Sequence, residues 1–330
     1  MSDTTFTASA DPTRAGVLVT GAAGYLGRLV IARLVAEPAL GPIIAADVRE
    51  VAAEARLPNV LYRQLDIRDG DAVRRVLGEH PIQTVVHLAA ILTPPRGGDR
   101  QMAWDVDVGG TRHVLESCVH LGIPKVIVTS SGAAYGYHAD NPPTLDEDAP
   151  LRGNEVFAYS HHKRLVEAML ASFREEHPAL RQLVFRVGTI LGVATRNPIT
   201  AIFERPVVLG VRGSASPFCF IWDEDVATCI AEGAREPERT GIYNLAGDGT
   251  LTLAEIAKIL RKPFVAIPPT LLRRSLQLLG RLGLAPYGPE QVLFLQHRPV
   301  LDNRRLRTSF GFSPRSTREV FDVYRAGLST

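Results

Sequence analysis

Residues 16–30 read GVLVTGAAGYLGRLV: a short run rich in valine and leucine, a cluster of glycines, then the opening of an amphipathic segment. An unbroken apolar run of this length predicts a strand buried on both faces. A helix is predicted from about Tyr25 to Glu37, because Leu26, Leu29, Val30, Ile31, Leu34 and Val35 recur at spacings of three and four, and Pro38 and Gly41 stop it. Gly21, Gly24 and Gly27, with Tyr25 and Leu26 among them, occupy the junction. Glycines at such a junction permit a tight turn and close approach of the backbone to a pyrophosphate, and the helix start directs free N–H groups at it. Asp47 lies twenty residues beyond Gly27, at the end of the next apolar run, PIIAADV. A carboxylate there accepts hydrogen bonds from both ribose hydroxyls of NAD and repels the 2′-phosphate of NADP. The stretch therefore predicts dinucleotide binding with NAD favoured, tempered by Arg49 two residues on.

The same rhythm continues outward. VLYRQLDI, TVVHLAA, KVIVTSS and LVFRVG supply further buried strands, and helical segments such as Asp69–Leu77 and Gly109–Leu121 fall between them. Alternation of this kind predicts an α/β fold, a Rossmann-type doubly wound parallel sheet, with ligands at the carboxyl ends of the strands. After Val187 the punctuation by Pro198, Pro206, Gly210, Gly213 and Pro217 loosens the pattern before a helix near Asp223–Gly233 and a strand near IYNLAG. The reading is a flexible tail over 1–14 and a dinucleotide-binding domain over 15–186, completed by about 215–247. A smaller, irregular substrate lobe takes 187–214 and 248–330.

Composition narrows the function. The 330 residues are 45% hydrophobic and 22% charged with a formal net charge of +2, which excludes disordered and coiled-coil classes and leaves no electrostatic footprint for nucleic acid. Cys118, Cys219 and Cys229 are odd in number without a CxxC pair, so neither a disulfide framework nor a metal site is predicted, and a reducing cytoplasm fits. Residues 1–14 lack a leader pattern. The leucine-rich stretch from Thr270 to Pro286 is interrupted by Arg273, Arg274, Gln277 and Arg281 and is too short to span a bilayer. It reads as an amphipathic helix, and no membrane partner is expected.

FAYSHHKRLVEAML places Tyr159 and Lys163 four apart on one helix face. A phenol titrates near about pH 10 and is a poor base at neutrality, but an ammonium one turn away favours the phenolate. Such a tyrosine can take a proton from a substrate hydroxyl. Upstream, TSSGAAYG puts Ser130 and Ser131 at the end of a strand, and Ser131 is the one chosen to hydrogen-bond the same substrate oxygen.

Taken together these motifs resemble the extended short-chain dehydrogenase/reductase family, in its NAD-dependent epimerase/dehydratase branch. TGAAGYLG, LDIRD, HLAA, DVGGT, TSSGAAYG, YSHHK, FRVGTILG, FIWDEDVA and YNLAGDG follow in the family's order from about Val17 onward. The resemblance implies that Asp66 and Ile67 contact adenine and that Leu88, Ala89 and Ala90 lie beside the cofactor's ribose and pyrophosphate. It makes Ser131, Tyr159 and Lys163 the catalytic set, with Tyr159 and Lys163 also at the nicotinamide ribose. It further implies a homodimer built on helices matched by Val108–Leu121 and Phe157–Glu176, and a small-molecule substrate, a sugar or nucleotide sugar.

Three departures bear on specificity. Thr189 stands where nucleotide-sugar relatives carry asparagine, and Phe218 where they carry a diphosphate-binding arginine. Arg212 or Arg205 is then the candidate replacement cation, with Ser131, Thr189 and Arg212 as substrate-facing positions. Gly132 follows Ser131 where dehydratases have an acid, which disfavours simple dehydration. His161 and His162 are expected to face solvent or a partner. The leading expectation is hydride and proton transfer at a secondary alcohol or ketone. Phe218 and the leucines from Leu271 to Leu284 motivate a second, a dehydrogenase of a steroid-like alcohol. A non-catalytic dinucleotide sensor ranks third, because it has no use for a proton-transfer set.

Overall fold

The computed structural model describes residues 15–92, 100–281 and 288–328. The tail expected over residues 1–14, and Leu282 and Leu284 of the leucine-rich segment, lie outside the described residues. Strands are β1 (Ala15–Thr20), β2 (Leu40–Asp47), β3 (Val60–Gln64), β4 (Ile82–His87), β5 (Lys125–Ser131), β6 (Arg181–Val187), β7 (Thr189–Leu191), β8 (Val208–Val211), β9 (Phe220–Trp222), β10 (Gly241–Leu245) and β11 (Phe264–Ile267). Helices are α1 (Tyr25–Val35), α2 (Gly70–Gly78), α3 (Arg100–Trp104), α4 (Thr111–Leu121), α5 (Ala158–Glu176), α6 (Thr200–Glu204), α7 (Asp223–Arg235), α8 (Leu253–Ile259), α9 (Pro269–Arg281), α10 (Gln291–Gln296) and α11 (Thr317–Gly327).

Among the described residues the main sheet has seven strands in the order β10-β6-β5-β4-β1-β2-β3, all parallel. This is the doubly wound order with one strand added, and its direction of winding reverses between β1 and β4. The strand residues alternate as a period of two requires. Val17 and Val19 join one buried cluster with Val30, Ile31 and Leu34 of α1 and Val226 and Ile230 of α7. Leu18 points the other way into a second cluster with Val114 and Leu115 of α4 and Val166 and Leu170 of α5. Both faces are thus sealed, which explains why these strands are apolar throughout.

The helix boundaries follow identifiable caps. Asp69 accepts a hydrogen bond from Ala72 N and starts α2, so that helix begins one residue later than the sequence pattern suggests. Residues 105–110 form a π-helical turn ahead of α4, so the helix expected from Gly109 takes its regular form only from Thr111. α11 opens with a capping box made by Ser316 and Glu319.

Beyond the main sheet, β8 pairs with β11 and β7 with β9. Their core gathers Phe203, Phe218, Phe220, Phe321 and Tyr324 with Leu253 and Ile256. No helix among the described residues is long and apolar enough to cross a membrane.

Candidate active site

The reversal point between β1 and β4 opens a cleft of about 1670 Å³ at the carboxyl ends of the central strands. Gly21 follows β1 with φ of +71°, the left-handed region, and a Cβ there would stand 2.7 Å from Ala89 N. Only glycine lets β1's end pass so close beneath the residues after β4. Gly24 precedes α1 without any side-chain cap, which leaves the helix's first N–H groups facing the cleft. Gly27 is held under Gly21 O, where a Cβ would collide. Tyr25 and Leu26 also line the cleft.

Asp47 closes β2 and is 7% exposed. Its Oδ2 accepts from Ala23 N at 2.9 Å and its Oδ1 from Arg49 N at 2.9 Å, so the carboxylate braces the glycine loop while facing the cleft. Asp66 and Ile67 line the same end. Hydrogen bonds from the Arg68 guanidinium hold the Asp66 carboxyl below the usual carboxylate range. Ile67 packs against Gly110, which has no side chain to obstruct it. Leu88 N and Ala89 N both donate to Thr20 Oγ1, and Thr20 Oγ1 in turn meets His87 Nδ1 at 2.8 Å. Burial drives the His87 imidazole down to about 3, so it is neutral at ordinary pH. Leu88 and Ala89 are therefore pinned to the end of β1, and Ala90 lines the cleft beside them.

Ser131 ends β5, where its Oγ accepts from Ala133 N at 3.1 Å and caps a short 3₁₀ turn. Tyr159 sits in the first turn of α5, one turn from Lys163. The Lys163 ammonium lies 5.6 Å from the Tyr159 ring centre and donates to Thr129 O at 2.8 Å. Ser131, Tyr159 and Lys163 all line the cleft with the glycine loop.

Two sequence expectations fail. His162 does not face solvent: it is 5% exposed, and its Nδ1 meets Asp107 Oδ2 at 2.9 Å. Asp107 Oδ1 also accepts from Ile91 N, so this pair ties α5 to the segment after β4. The α5 face carrying His162 and Val166 turns inward because it covers the sheet. Phe218 likewise does not leave its position without a cation. It is fully buried in the aromatic core, and the Arg298 guanidinium lies 3.8 Å above its ring.

Arg298 is the functional candidate that sequence reasoning missed. It is clasped between Phe218 and Phe294, donates from Nη2 to Thr189 Oγ1 at 2.7 Å, and lines the cleft. Its Nη1 is buried with no partner among the described residues, and burial lowers its pKa to about 10. Thr189 thus reaches the cleft with an arginine already attached. Arg205 lines the cleft; Arg212 is exposed at the end of β8, outside the lining.

A parallel sheet with a glycine cradle at its reversal point and a serine, tyrosine and lysine lining the same cleft defines a dinucleotide-dependent enzyme of the short-chain type. A profile of the NAD-dependent epimerase/dehydratase family matches residues 17–246, and this chain is an enzyme of that family. Among its relatives, an uncharacterised protein of Mycobacterium tuberculosis is 25% identical over 317 residues, spanning 94% of this chain and 83% of that one. UDP-glucose 4-epimerase 2 of Oryza sativa is 31% identical over 212 residues, 61% of this chain and 50% of its own. The crystal structure of Thermotoga maritima UDP-glucose 4-epimerase with UDP-glucose superposes with a TM-score of 0.74 at 21% identity, covering 95% of this chain and 98% of that one.

Proposed function

We propose that this chain exchanges a proton and a hydride at a secondary alcohol or ketone, with NAD preferred over NADP, in a substrate that carries a phosphoryl or comparable anionic group, as a nucleotide sugar does. The observation that carries the anionic group is Arg298. Arg298 lines the cleft, and a guanidinium is the side chain best suited to phosphoryl oxygens through charge-assisted hydrogen bonds.

The glycine cradle and the open start of α1 suit a pyrophosphate, Asp47 a ribose, and Lys163 the nicotinamide ribose. The bound nicotinamide supplies hydride exchange at the carbon that bears the substrate oxygen. Tyr159 gives or takes the proton at that oxygen, Lys163 favours its phenolate, and Ser131 hydrogen-bonds the same atom. Dehydration is disfavoured, because Gly132 supplies no acid after Ser131, and a Cβ there would stand 3.1 Å from the Leu301 side chain, which would have to give way. Dimerisation through α4 and α5 belongs to the same proposal, and sedimentation showing only monomer contradicts it. A steroid-like alcohol is the second reading, favoured by Leu272, Leu276, Leu295 and Ile199 along the cleft.

The test begins with denaturing the purified chain and identifying any released dinucleotide, then offering UDP-sugars and simple secondary alcohols. Arg298→Leu is expected to raise KM for the phosphoryl substrate about 10- to 100-fold. Tyr159→Phe is expected to lower turnover at least about 100-fold with NAD affinity nearly intact. Full activity on an uncharged alcohol, with Arg298→Leu silent, selects the second reading. Stoichiometric bound NAD with sugar interconversion marks an epimerase, and release of reduced cofactor a dehydrogenase.

A further inference from the structure

α9 is amphipathic in an unusual position. At 3.6 residues per turn, Leu271 and Leu278 share one stripe and Leu272, Leu276 and Leu279 the adjoining one, while Arg273 and Gln277 lie opposite and Arg274 flanks the Leu271 and Leu278 stripe. Leu272 and Leu276 line the cleft. Leu271 and Leu278 are 56% and 59% exposed, and Leu279 is exposed beside them. The cleft lining therefore accounts for Leu272 and Leu276 and leaves Leu271, Leu278 and Leu279 uncovered.

The uncovered face is not isolated. Leu209 of β8 lines the same cleft and pairs in register with Val265 of β11, and both are exposed. Phe264, beside Val265 in the strand that leads into α9, is exposed too. Exposed apolar side chains thus occur both on the helix and on the small sheet that leads into it, and Leu209, Leu272 and Leu276 share the cleft lining between them, a grouping that folded surfaces rarely leave open.

Charge indicates what covers it. From Ile256 to Pro289 the sequence contains Lys258, Arg261, Lys262, Arg273, Arg274 and Arg281 and no acidic residue, although the whole chain carries only +2. The other residues together are net negative, so this segment is a local cationic zone. Arg273 and Arg274 are exposed, and neither meets a carboxylate among the described residues. A second protein copy would bring a mixed surface to this face. An anionic lipid headgroup layer matches both halves, phosphates for the arginines and acyl chains for the leucines.

We propose that α9, with the exposed edge of β8 and β11, docks this protein on an anionic membrane surface, with the cleft mouth opening at the lipid interface. The absence of a membrane partner expected from the sequence rested on length, which tests spanning. A helix lying in the interface plane needs only a leucine face and a basic flank. The inference is independent of the reaction proposed above, since its readout is partition and not turnover.

The test is co-sedimentation of the full chain with vesicles of phosphatidylcholine alone or mixed with phosphatidylglycerol, at low and high salt. Retention is expected on the mixed vesicles only, weakening as salt shortens the Debye length. Arg273→Glu with Arg274→Glu should reduce partition by at least about fivefold for each arginine removed. Leu271→Ser with Leu278→Ser should reduce it by about tenfold or more without lowering the thermal transition, since both leucines are solvent-exposed in the free protein. No retention on either vesicle overturns the proposal, as does equal retention on both. It is also overturned by a self-association that the leucine substitutions abolish while vesicle binding is nil, which would give the face to a second copy.

Discussion

Arg298 reaches the cleft wall from a segment eighty residues beyond Phe218, and no local spacing announces it. Tyr159 and Lys163 are the opposite case. Their relation is set within one helix, so four residues of sequence fix their shared face before any packing is known. Asp47 stands between these extremes: its place at the end of β2 is local, but its bonds to Ala23 N and Arg49 N depend on how β2 lies beside β1. Removing that carboxylate takes away the loop's brace and, on the proposed NAD preference, the repulsion of a 2′-phosphate, while Arg49 stays at the cleft. Asp47→Ala should therefore weaken NAD and narrow the ratio of NAD to NADP affinity by at least about tenfold, read by titrating each dinucleotide. An unchanged ratio places the ribose elsewhere. His162 shows the limit of reasoning from helical faces alone. Its neighbour relations were plain, but which face turned inward depended on the sheet beneath α5 and on Asp107 from a π-helical turn that the sequence does not signal.

At the scale of elements, α5 carries Tyr159 and Lys163, the pair proposed to transfer the proton, and that role requires α5 to be held against the sheet at a fixed height. Part of that attachment is Glu167, whose carboxylate receives two hydrogen bonds from Arg186 of β6, at 2.8 and 2.9 Å, with both side chains about 5% exposed or less. Arg186 also donates to Tyr135 Oη and Glu147 O, which binds the turn after Ser131 into the same network. Truncating one partner of a buried pair strands the other charge, so Glu167→Gln should cost about 3–5 kcal/mol in denaturant unfolding. The exposed pair Arg63 with Glu79 provides the contrast, and Glu79→Gln should cost less than about 1 kcal/mol. Equal losses would show that burial is not what gives the α5 attachment its strength. The strands and helices around this attachment were legible because apolar runs and helical periodicity are local signals. The buried network was not, because its members come from β6, α5 and the segments after β5 and lie far apart in the chain.

For the whole molecule, the main sheet was legible in its entirety and the smaller lobe hardly at all, and the reason is how the chain is routed. β6 passes through Gly188 directly into β7, whose partner β9 runs into α7, and α7 packs on the main sheet with α1. The lobe's aromatic core is assembled from α6, the segment around Phe218, α8 and α11, so its contacts are long-range and follow no repeating order. Tyr25, next to the glycine loop, donates to Asp223 Oδ2 and accepts from Thr195 Oγ1, and burial pushes its phenol up to about 12, which keeps that donor protonated. The bond with Thr195 thereby ties the glycine loop to the segment after β7, while that with Asp223 ties it to α7. Calorimetry should accordingly show one unfolding transition. With NAD at about 100 times its Kd the ligand adds about 2.7 kcal/mol, which for a chain of this length moves that single transition up by about 4 °C. Two peaks, of which only one moves with NAD, would mean that the lobe unfolds independently and that the Tyr25 linkage does not couple it to the cofactor loop.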